Sequence, residues 1–489
     1  MLRKKSNKRI DVEHVTIGRC FALTYSDEVY DALQSIVGSS NLSNDEIILY
    51  SYSEDSSPFP SRKPALVVRA GETSEVSQIM KVANRTKTPV VPAGGRSSIS
   101  GAPLPRVEGA IMLDLTRMDK VKEIDEDTQT VTVQCGARWA QLIHELNLKS
   151  YKLGFRGPYG GNAGTVGGSL SVNTVGCGAS KWGGACNSVV SLELVLPTGE
   201  IIKTGSGWSP AAKRFARYAT FNDMTGLFLG DHGTLGVKTE ATLKIYPLPK
   251  GLAYADYGFK GLKDCANAFH ELQKLGIPEE IIMLGDKSSI GLLAETYLES
   301  FPELECVFAV AIEEIDSVIA ERKKAICDEV AKKNSGKPLG SFLTRAHWLD
   351  MFNMTQPLFD SGFWFNSCHI RPISTLEETI EDATQLFKKE KVTEKGIKWI
   401  ISALGVDRCY CTAWITLFKG EQTKVDDLKK VWNQLKEMEL EGGGVPYWTG
   451  PLWEPHVLPR VGQGFYSVLK KVKNAVDPNS ILHPSTFEL

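Results

Sequence analysis

Two glycine-rich segments and one histidine–arginine pair are the parts of this sequence whose composition and spacing suit chemistry. The first segment is Val91-Pro-Ala-Gly-Gly-Arg-Ser-Ser-Ile-Ser-Gly101, directly after an apolar run. Consecutive backbone N–H groups in such a loop form a nest for phosphate oxygens. Ser97, Ser98 and Ser100 add hydroxyl donors and Arg96 adds charge. A plain turn between two strands reads this segment equally well when it is taken alone. It fits neither G-x-x-x-x-G-K-[ST] nor G-x-G-x-x-G, which excludes P-loop and Rossmann phosphate sites. The second segment is Gly160-Gly-Asn-Ala-Gly-Thr-Val-Gly-Gly-Ser-Leu-Ser-Val-Asn-Thr174, followed by Gly178-Ala-Ser-Lys-Trp-Gly-Gly184. Small polar residues on so much glycine suit an extended ligand held by main-chain bonds, with an unusual Ω-loop as the bland alternative. The pair lies in Phe363-Trp-Phe-Asn-Ser-Cys-His369-Ile-Arg371. On a strand both side chains project to one face. There they would set a proton acceptor beside a fork that fits a carboxylate. A satisfied surface pair explains the same residues at least as well.

The elements that must position these residues are legible around them. Pro64–Arg69, Thr88–Pro92, Ala110–Leu115 and the alternating Thr130–Cys135 read as strands, and Thr73 caps a helix burying Val76, Ile79, Met80 and Ala83. Trp139, Leu142, Ile143 and Leu146 mark a second helix, on which His144 reads as structural. Val189–Leu196 and Glu200–Ile202 flank Pro197-Thr-Gly199, a hairpin signal. From Gly154 to Gly236, 18 of 83 residues are glycine, so backbone there packs close to something. Pro247-Leu-Pro-Lys-Gly251 is a domain boundary, beyond which amphipathic helices appear near 262–276, 316–333 and 376–390. Near the end Phe465, Val468, Leu469 and Val472 form a helical stripe.

Composition excludes several classes. The chain has 489 residues, 56 Lys+Arg against 58 Asp+Glu, 42% hydrophobic and 23% charged residues. That is a globular protein without the basic excess that nucleic acid demands. Its 10 cysteines contain no C-x-x-C, so zinc-ribbon and iron–sulfur spacings are missing. Cys409 and Cys411 would share a strand face. The basic start Met1–Arg9 has no apolar core after it and reads as a frayed tail rather than a secretory signal. A cytoplasmic location is expected, with docking at the inner membrane face left open.

In order along the chain, Pro64-Ala-Leu-Val-Val, Pro92-Ala-Gly-Gly-Arg-Ser-Ser-Ile-Ser-Gly101, Gly164-Thr-Val-Gly-Gly168, Lys181-Trp-Gly183, Leu194-Val-Leu-Pro-Thr-Gly-Glu200, Gly230-Asp-His-Gly-Thr-Leu-Gly-Val237 and Asp477-Pro-Asn-Ser-Ile-Leu-His-Pro484 resemble the FAD-dependent oxidoreductases of the p-cresol methylhydroxylase (PCMH) / vanillyl-alcohol oxidase fold. The likeness is greatest to the glycolate oxidase flavin subunit and D-lactate dehydrogenase branch. The resemblance implies an α+β fold: a two-subdomain PCMH-type FAD-binding domain over 60–250, an α+β cap over 251–430, and a return to the FAD domain over 431–489. An N-terminal extension, 1–59, would pack on the FAD domain. It also implies that Pro92, Gly94, Gly95, Arg96, Ser97 and Ser98 wrap the pyrophosphate. Gly164, Thr165, Gly168, Ser169 and Asn173 would line the flavin and ribityl path, and Ser180, Trp182, Gly183, Gly236 and Val237 would complete the site. Histidine-linked relatives have Gly-Gly-His where this chain has Gly94-Gly95-Arg96, so non-covalent FAD is expected. The branch's metal motif Gly-His-x-Gly-Asp-Gly-Asn-x-His is absent, with Gly405-Val-Asp-Arg-Cys-Tyr-Cys-Thr-Ala-Trp414 in its place, and no metal is expected.

The implied chemistry is hydride transfer from a 2-hydroxy acid, D-lactate or glycolate-like, to flavin N5. The candidates for base and carboxylate partner are His369 and Arg371, then Arg408, His456 and Arg460. Arg345-Ala-His347-Trp348 is a further cap cluster for which ordinary ion pairs are the alternative. The aromatic stretch Tyr447-Trp448 and Trp453 supports a second reading, an aromatic (phenolic) alcohol as substrate. A non-catalytic FAD-binding subunit is the third. Partners reduce to a small-molecule substrate and an electron acceptor, either O2, a quinone or a redox protein. No nucleic acid is expected, and a homodimer is compatible.

Overall fold

The computed structural model describes residues 26–489 apart from 56, 58, 60–61, 219, 353–362, 420–424 and 448–449. The basic start and Trp448 lie outside the described residues. Strand Leu66–Arg69 runs parallel to Ile111–Asp114, which in turn runs parallel to Val90–Ala93. Parallel neighbours need a crossover, and helix Thr73–Thr86 supplies one, burying Val76, Ile79, Met80 and Ala83. Its cap is Glu72 rather than Thr73, whose hydroxyl instead donates to Glu193 Oε1 at 2.8 Å. Residues 26–59 complete this layer: Leu42–Ser43 pairs antiparallel with Leu66–Arg69, and Val29, Leu33 and Val37 of helix Asp27–Val37 enter the same core.

A second sheet is antiparallel. Its order is Val121–Asp125, Thr130–Gln134, Val237–Pro247, Val189–Val195, Ile201–Lys203, with Tyr151–Leu153 also on Val237–Pro247. The glycine segments run between these two sheets. The third sheet opens at Gly251, and its eight strands are all antiparallel. Its period-2 alternation divides the side chains cleanly. Tyr257, Phe259, Ile281, Met283, Phe308, Phe365, Ile401, Ile415 and Leu417 face helices Leu262–Leu275, Ser317–Lys333, Leu376–Lys389 and Val425–Glu441. Ile282, Leu284, Ala309, Cys368 and Leu404 face Val175 and Ala179 of the glycine-rich stretch.

Three expectations are corrected. The cap runs past 430: helix Val425–Glu441 crosses that point, and Val445–Pro446 still pairs with Phe363–Arg371. Gly405–Trp414 is a hairpin, not one strand, because Asp407 and Arg408 take left-handed backbone between Lys398–Val406 and Tyr410–Lys419. Cys409 is therefore exposed at the turn while Cys411 is buried. The terminal helix Gln463–Val476 packs Leu469-side residues Val472 and Val476 inward and leaves Phe465 and Val468 exposed.

The return of the chain to the first two sheets hangs on one buried ammonium. Lys473 Nζ donates to Asp477 Oδ2 at 2.6 Å, Leu482 O at 2.7 Å and Thr234 O at 2.9 Å, and Asp477 accepts the N–H groups of Ile481 and Leu482. Lys473 and Asp477 are 1% and 0% exposed, so removing either leaves the other charge uncompensated. Lys473→Met is expected to lower stability by about 3–5 kcal/mol, read as a fall in the urea midpoint at unchanged slope.

Candidate functional site

The two glycine segments meet as bare backbone. A Cβ on Gly95 would stand 1.7 Å from the Ala163 carbonyl oxygen, and one on Gly94 would stand 2.1 Å from Thr165 Oγ1. No side chain enters that gap, which is why both positions are glycine. Arg96 follows at φ +48°, so the chain turns and its N–H groups converge. Among the described residues, the backbone N–H groups of 94–98 donate to no other protein group. Five free donors on one loop are an anion cradle. The Arg96 guanidinium leaves it outward, 3.9 Å over the Tyr52 ring, with Nη1 on Ser51 O at 2.5 Å.

The cradle opens into a cavity lined by Pro92, Gly94, Gly95, Arg96, Ser97, Ser98, Gly164, Thr165, Gly168, Ser169 and Gly236 of the expected set. The other five expected residues do not line it. Asn173 adopts φ +48° beside Gly184, and its Oδ1 is buried without a partner. Ser180 Oγ accepts from Ile281 N at 2.9 Å, and the Trp182 indole donates to Glu279 while its ring lies 4.3 Å from Tyr246. Gly183 at φ +75° follows, so 180–183 is a joint between the glycine-rich stretch and the cap strand Glu280–Leu284. Val237 points into the first core.

The far wall comes from the cap sheet: Ile282, Leu284, Asn366, Ile400, Ser402, Trp414 and Thr416, with Tyr447 and Tyr159 alongside. None of these side chains is charged. Trp414 Nε1, Tyr159 Oη and His483 Nε2 are buried and lack a protein partner. Unpaired polar atoms gathered around one cavity mark a place for a polar ligand.

The expected catalytic residues are not brought to this cavity. His369 and Arg371 do share a strand face, but it is the helix-covered one. His369 Nε2 pairs with Glu439 Oε2 of helix Val425–Glu441; Arg371 Nη1 lies 3.6 Å from the same oxygen, and its Nη2 donates to Gly442 O at 2.9 Å. All three side chains are nearly sealed from water. Arg408 sits exposed at the cap hairpin, its backbone N–H on Ser180 O. His456 and Arg460 both pair with Glu437, Arg460 Nη2 at 2.7 Å from Oε2. His369 and Arg371 are thus taken up by Glu439, and His456 and Arg460 by Glu437, while Arg408 stays at the exposed turn.

Other residues do reach the cavity. Lys238 Nζ lies 2.5 Å from Asp231 Oδ1 and 3.0 Å from Ser171 Oγ, a buried pair beneath the floor. His483, 3% exposed, has Nδ1 2.9 Å from the His232 carbonyl oxygen. Burial, then the Arg106 charge, pushes its imidazole down to about 4. It is neutral at pH 7, Nδ1 is the donor, and Nε2 is left as an acceptor. Both histidines fall inside quoted motifs, Gly230–Val237 and Asp477–Pro484, so a signal existed. The cap wall had none, since alternate strand positions such as 402, 414 and 416 read as ordinary core.

Residues 64–205 match the family described as FAD binding domain. A Mycobacterium tuberculosis (strain CDC 1551 / Oshkosh) protein named uncharacterized FAD-linked oxidoreductase is 32% identical over 55% of this chain and 57% of its own length. The chain thus matches little more than half of that relative. Glycolate oxidase subunit GlcD of Bacillus subtilis (strain 168) is 24% identical over 94% of this chain and 96% of its own. The crystal structure of p-cresol methylhydroxylase with substrate bound superimposes at TM-score 0.82, covering 94% of this chain and 96% of that one at 17% identity. The architecture is the PCMH-type FAD-binding fold, 64–205 is an FAD binding domain, and FAD is the cofactor. The cradle fits it: bare glycine backbone and five free N–H groups suit a pyrophosphate, and His483 Nε2 suits a hydroxyl donor.

Gly95→Ala forces the two loops apart, and its FAD content is expected to fall about tenfold or more, as contact of backbone with ligand is lost. The flavin-to-protein absorbance ratio reads this, with far-UV circular dichroism as the folding control. Wild-type FAD content in a folded variant contradicts the cradle.

Proposed function

We propose that the chain, built around the FAD binding domain of residues 64–205, is an FAD-dependent oxidoreductase acting on a CH–OH group. The substrate class we propose is an uncharged aromatic alcohol. The observation that carries this reading is the cap wall: Ile282, Leu284, Ile400 and Trp414 with the neutral polar groups of Asn366, Ser402 and Thr416, and no cation among its described side chains. A carboxylate buried there without a partner costs several kcal/mol. An aromatic ring loses nothing against such a wall, and the Trp414 N–H, which lacks an acceptor, suits a substrate oxygen. Bound FAD supplies the hydride acceptor. The residues of this chain orient the alcohol, keep water out with the cap sheet, and hold the cofactor's phosphates on the 94–98 loop.

Oxidation of a 2-hydroxy acid is the second reading, supported by the glycolate oxidase relative matched over 94% of this chain. It requires a carboxylate partner; Arg371 and Arg460 lie against Glu439 and Glu437, and Arg408 sits at the exposed cap hairpin away from the cavity lining. The electrons pass on to an acceptor outside the chain, O2, a quinone or a redox protein. No helix among the described residues is long and apolar enough to cross a membrane.

The attachment we propose is non-covalent, since residue 96 is an arginine stacked on Tyr52 rather than a histidine facing the cofactor. Acid precipitation is expected to free all the flavin into the supernatant. Colour in the pellet points instead to a link at His232, His483 or Cys135, which line the cavity.

Anaerobic bleaching of the flavin separates the substrate readings. A panel of aromatic alcohols and alkylphenols is expected to reduce it, and D-lactate and glycolate to leave it oxidised. The reverse pattern establishes the 2-hydroxy acid reading. Bleaching by neither set, with dithionite still effective, supports a non-catalytic FAD-binding subunit.

A further inference from the structure

Behind the cavity wall lies a second cluster that the oxidoreductase reading does not use. Cys177 belongs to the second glycine segment, where it pairs with Gly157. Glu280 opens the cap strand Glu280–Leu284, and His347 lies on the cap helix Phe342–Leu349. His347 Nε2 is 2.9 Å from Glu280 Oε1 and 3.8 Å from Cys177 Sγ, and the three ligand atoms lie within 4.8 Å of one another. All three residues are buried, Glu280 and His347 at 1% and Cys177 at 0% exposure. The sequence separations, 170 residues from Cys177 to His347 and 67 from Glu280 to His347, hide the grouping from any motif.

We propose that Cys177, Glu280 and His347 bind a zinc ion that fastens the FAD-binding half to the cap. Thiolate, imidazole and carboxylate are the donors zinc takes, and with bonds of about 2.0–2.3 Å its tetrahedral ligands stand roughly 3.3–3.6 Å apart. Two of the observed spacings, 2.9 and 3.8 Å, differ from these by a few tenths of an ångström, and the third lies within 4.8 Å. Charge supports the same ion. Bound to a metal, Cys177 is a thiolate and Glu280 a carboxylate. A divalent cation balances the two anions together, leaving a neutral site in a low-dielectric interior. Glu280 Oε2 is already oriented, accepting from Gly178 N at 2.9 Å, which frees Oε1 for the metal.

Tyr159 lies between this cluster and the cofactor cavity. Tyr159, 8% exposed, carries a buried hydroxyl with no partner. Its ring lies 5.4 Å from that of His347. Tyr159 also lines the cofactor cavity and meets Trp414 edge-on at 5.1 Å. A filled site therefore stiffens the wall between cap and cofactor.

The test uses the full-length flavoprotein, produced without a polyhistidine tag in zinc-supplemented medium and dialysed. Elemental analysis is expected to find about one zinc per chain. Zinc K-edge absorption is expected to show one sulfur near ~2.3 Å with nitrogen or oxygen near ~2.0–2.1 Å. Cys177→Ser and Glu280→Gln should each lower zinc content about tenfold or more. Flavin absorbance and melting serve as folding controls; should either variant misfold, the wild-type spectrum decides by its sulfur shell. Three results overturn the proposal: less than ~0.1 zinc per wild-type chain even after zinc addition, zinc without a sulfur neighbour, or full zinc in folded Cys177→Ser.

Discussion

Everything in the site depends on two stretches of backbone passing where no side chain fits. Gly94–Gly95 and Ala163–Thr165 approach so closely that a methyl group on Gly95 would meet the Ala163 carbonyl. The contact joins the parallel sheet, through the loop after Val90–Ala93, to the antiparallel sheet, through the segment before helix Val166–Ser171. It fixes where the free N–H groups of 94–98 point. Backbone donors are costly to leave unmade in a protein interior, so the loop is organised for a ligand that supplies acceptors. The fold and the cofactor site are one constraint seen from two sides.

The cap meets this site with a sheet whose two faces do different work. One face is covered by four helices and holds the larger aromatic core. The other carries Ile282, Ile400, Ser402, Trp414 and Thr416 toward the cofactor cavity. Charge is sorted by the same division. The buried His369–Arg371–Glu439 group lies on the helix side, where mutual pairing offsets part of the desolvation cost. On the other face, the side chains that wall the cavity carry no charge, which is the basis of the proposed uncharged substrate. The Cys177–Glu280–His347 cluster lies where that face meets the chain just before Gly178.

The C-terminal segment is held by ionic contacts that cross long sequence distances. Arg106 Nη1 reaches Glu454 at 2.6 Å and Ser485 O at 3.0 Å, and Lys473 with Asp477 anchors the last turn before His483. These contacts bring His483 beside His232 and Val90, so a residue near the chain's end becomes part of the cavity. Such pairs act mainly by specifying one arrangement, since breaking a buried pair is far more costly than a surface one.

By itself the sequence determined the local chemistry of the loops and the order of the elements. Glycine density between 154 and 236, the failure of P-loop and Rossmann spacing, and the ordered motifs from Pro64 to Pro484 follow from residue type and adjacency, which the chain carries directly. Strand alternation likewise put His369 and Arg371 on one face. Period-2 geometry relates neighbours to each other but cannot say which face of a sheet meets the cofactor. That was decided only when helix Val425–Glu441 packed its Glu439 over those two residues. The same holds for Ser180, Trp182 and Gly183, drawn from the cavity into the joint with the cap, and for His347, which reads as one of many ion-pair candidates until Cys177 and Glu280 arrive beside it. Side chains 67 to 170 residues apart acquire a common role only through packing, because no local pattern constrains their separation in space.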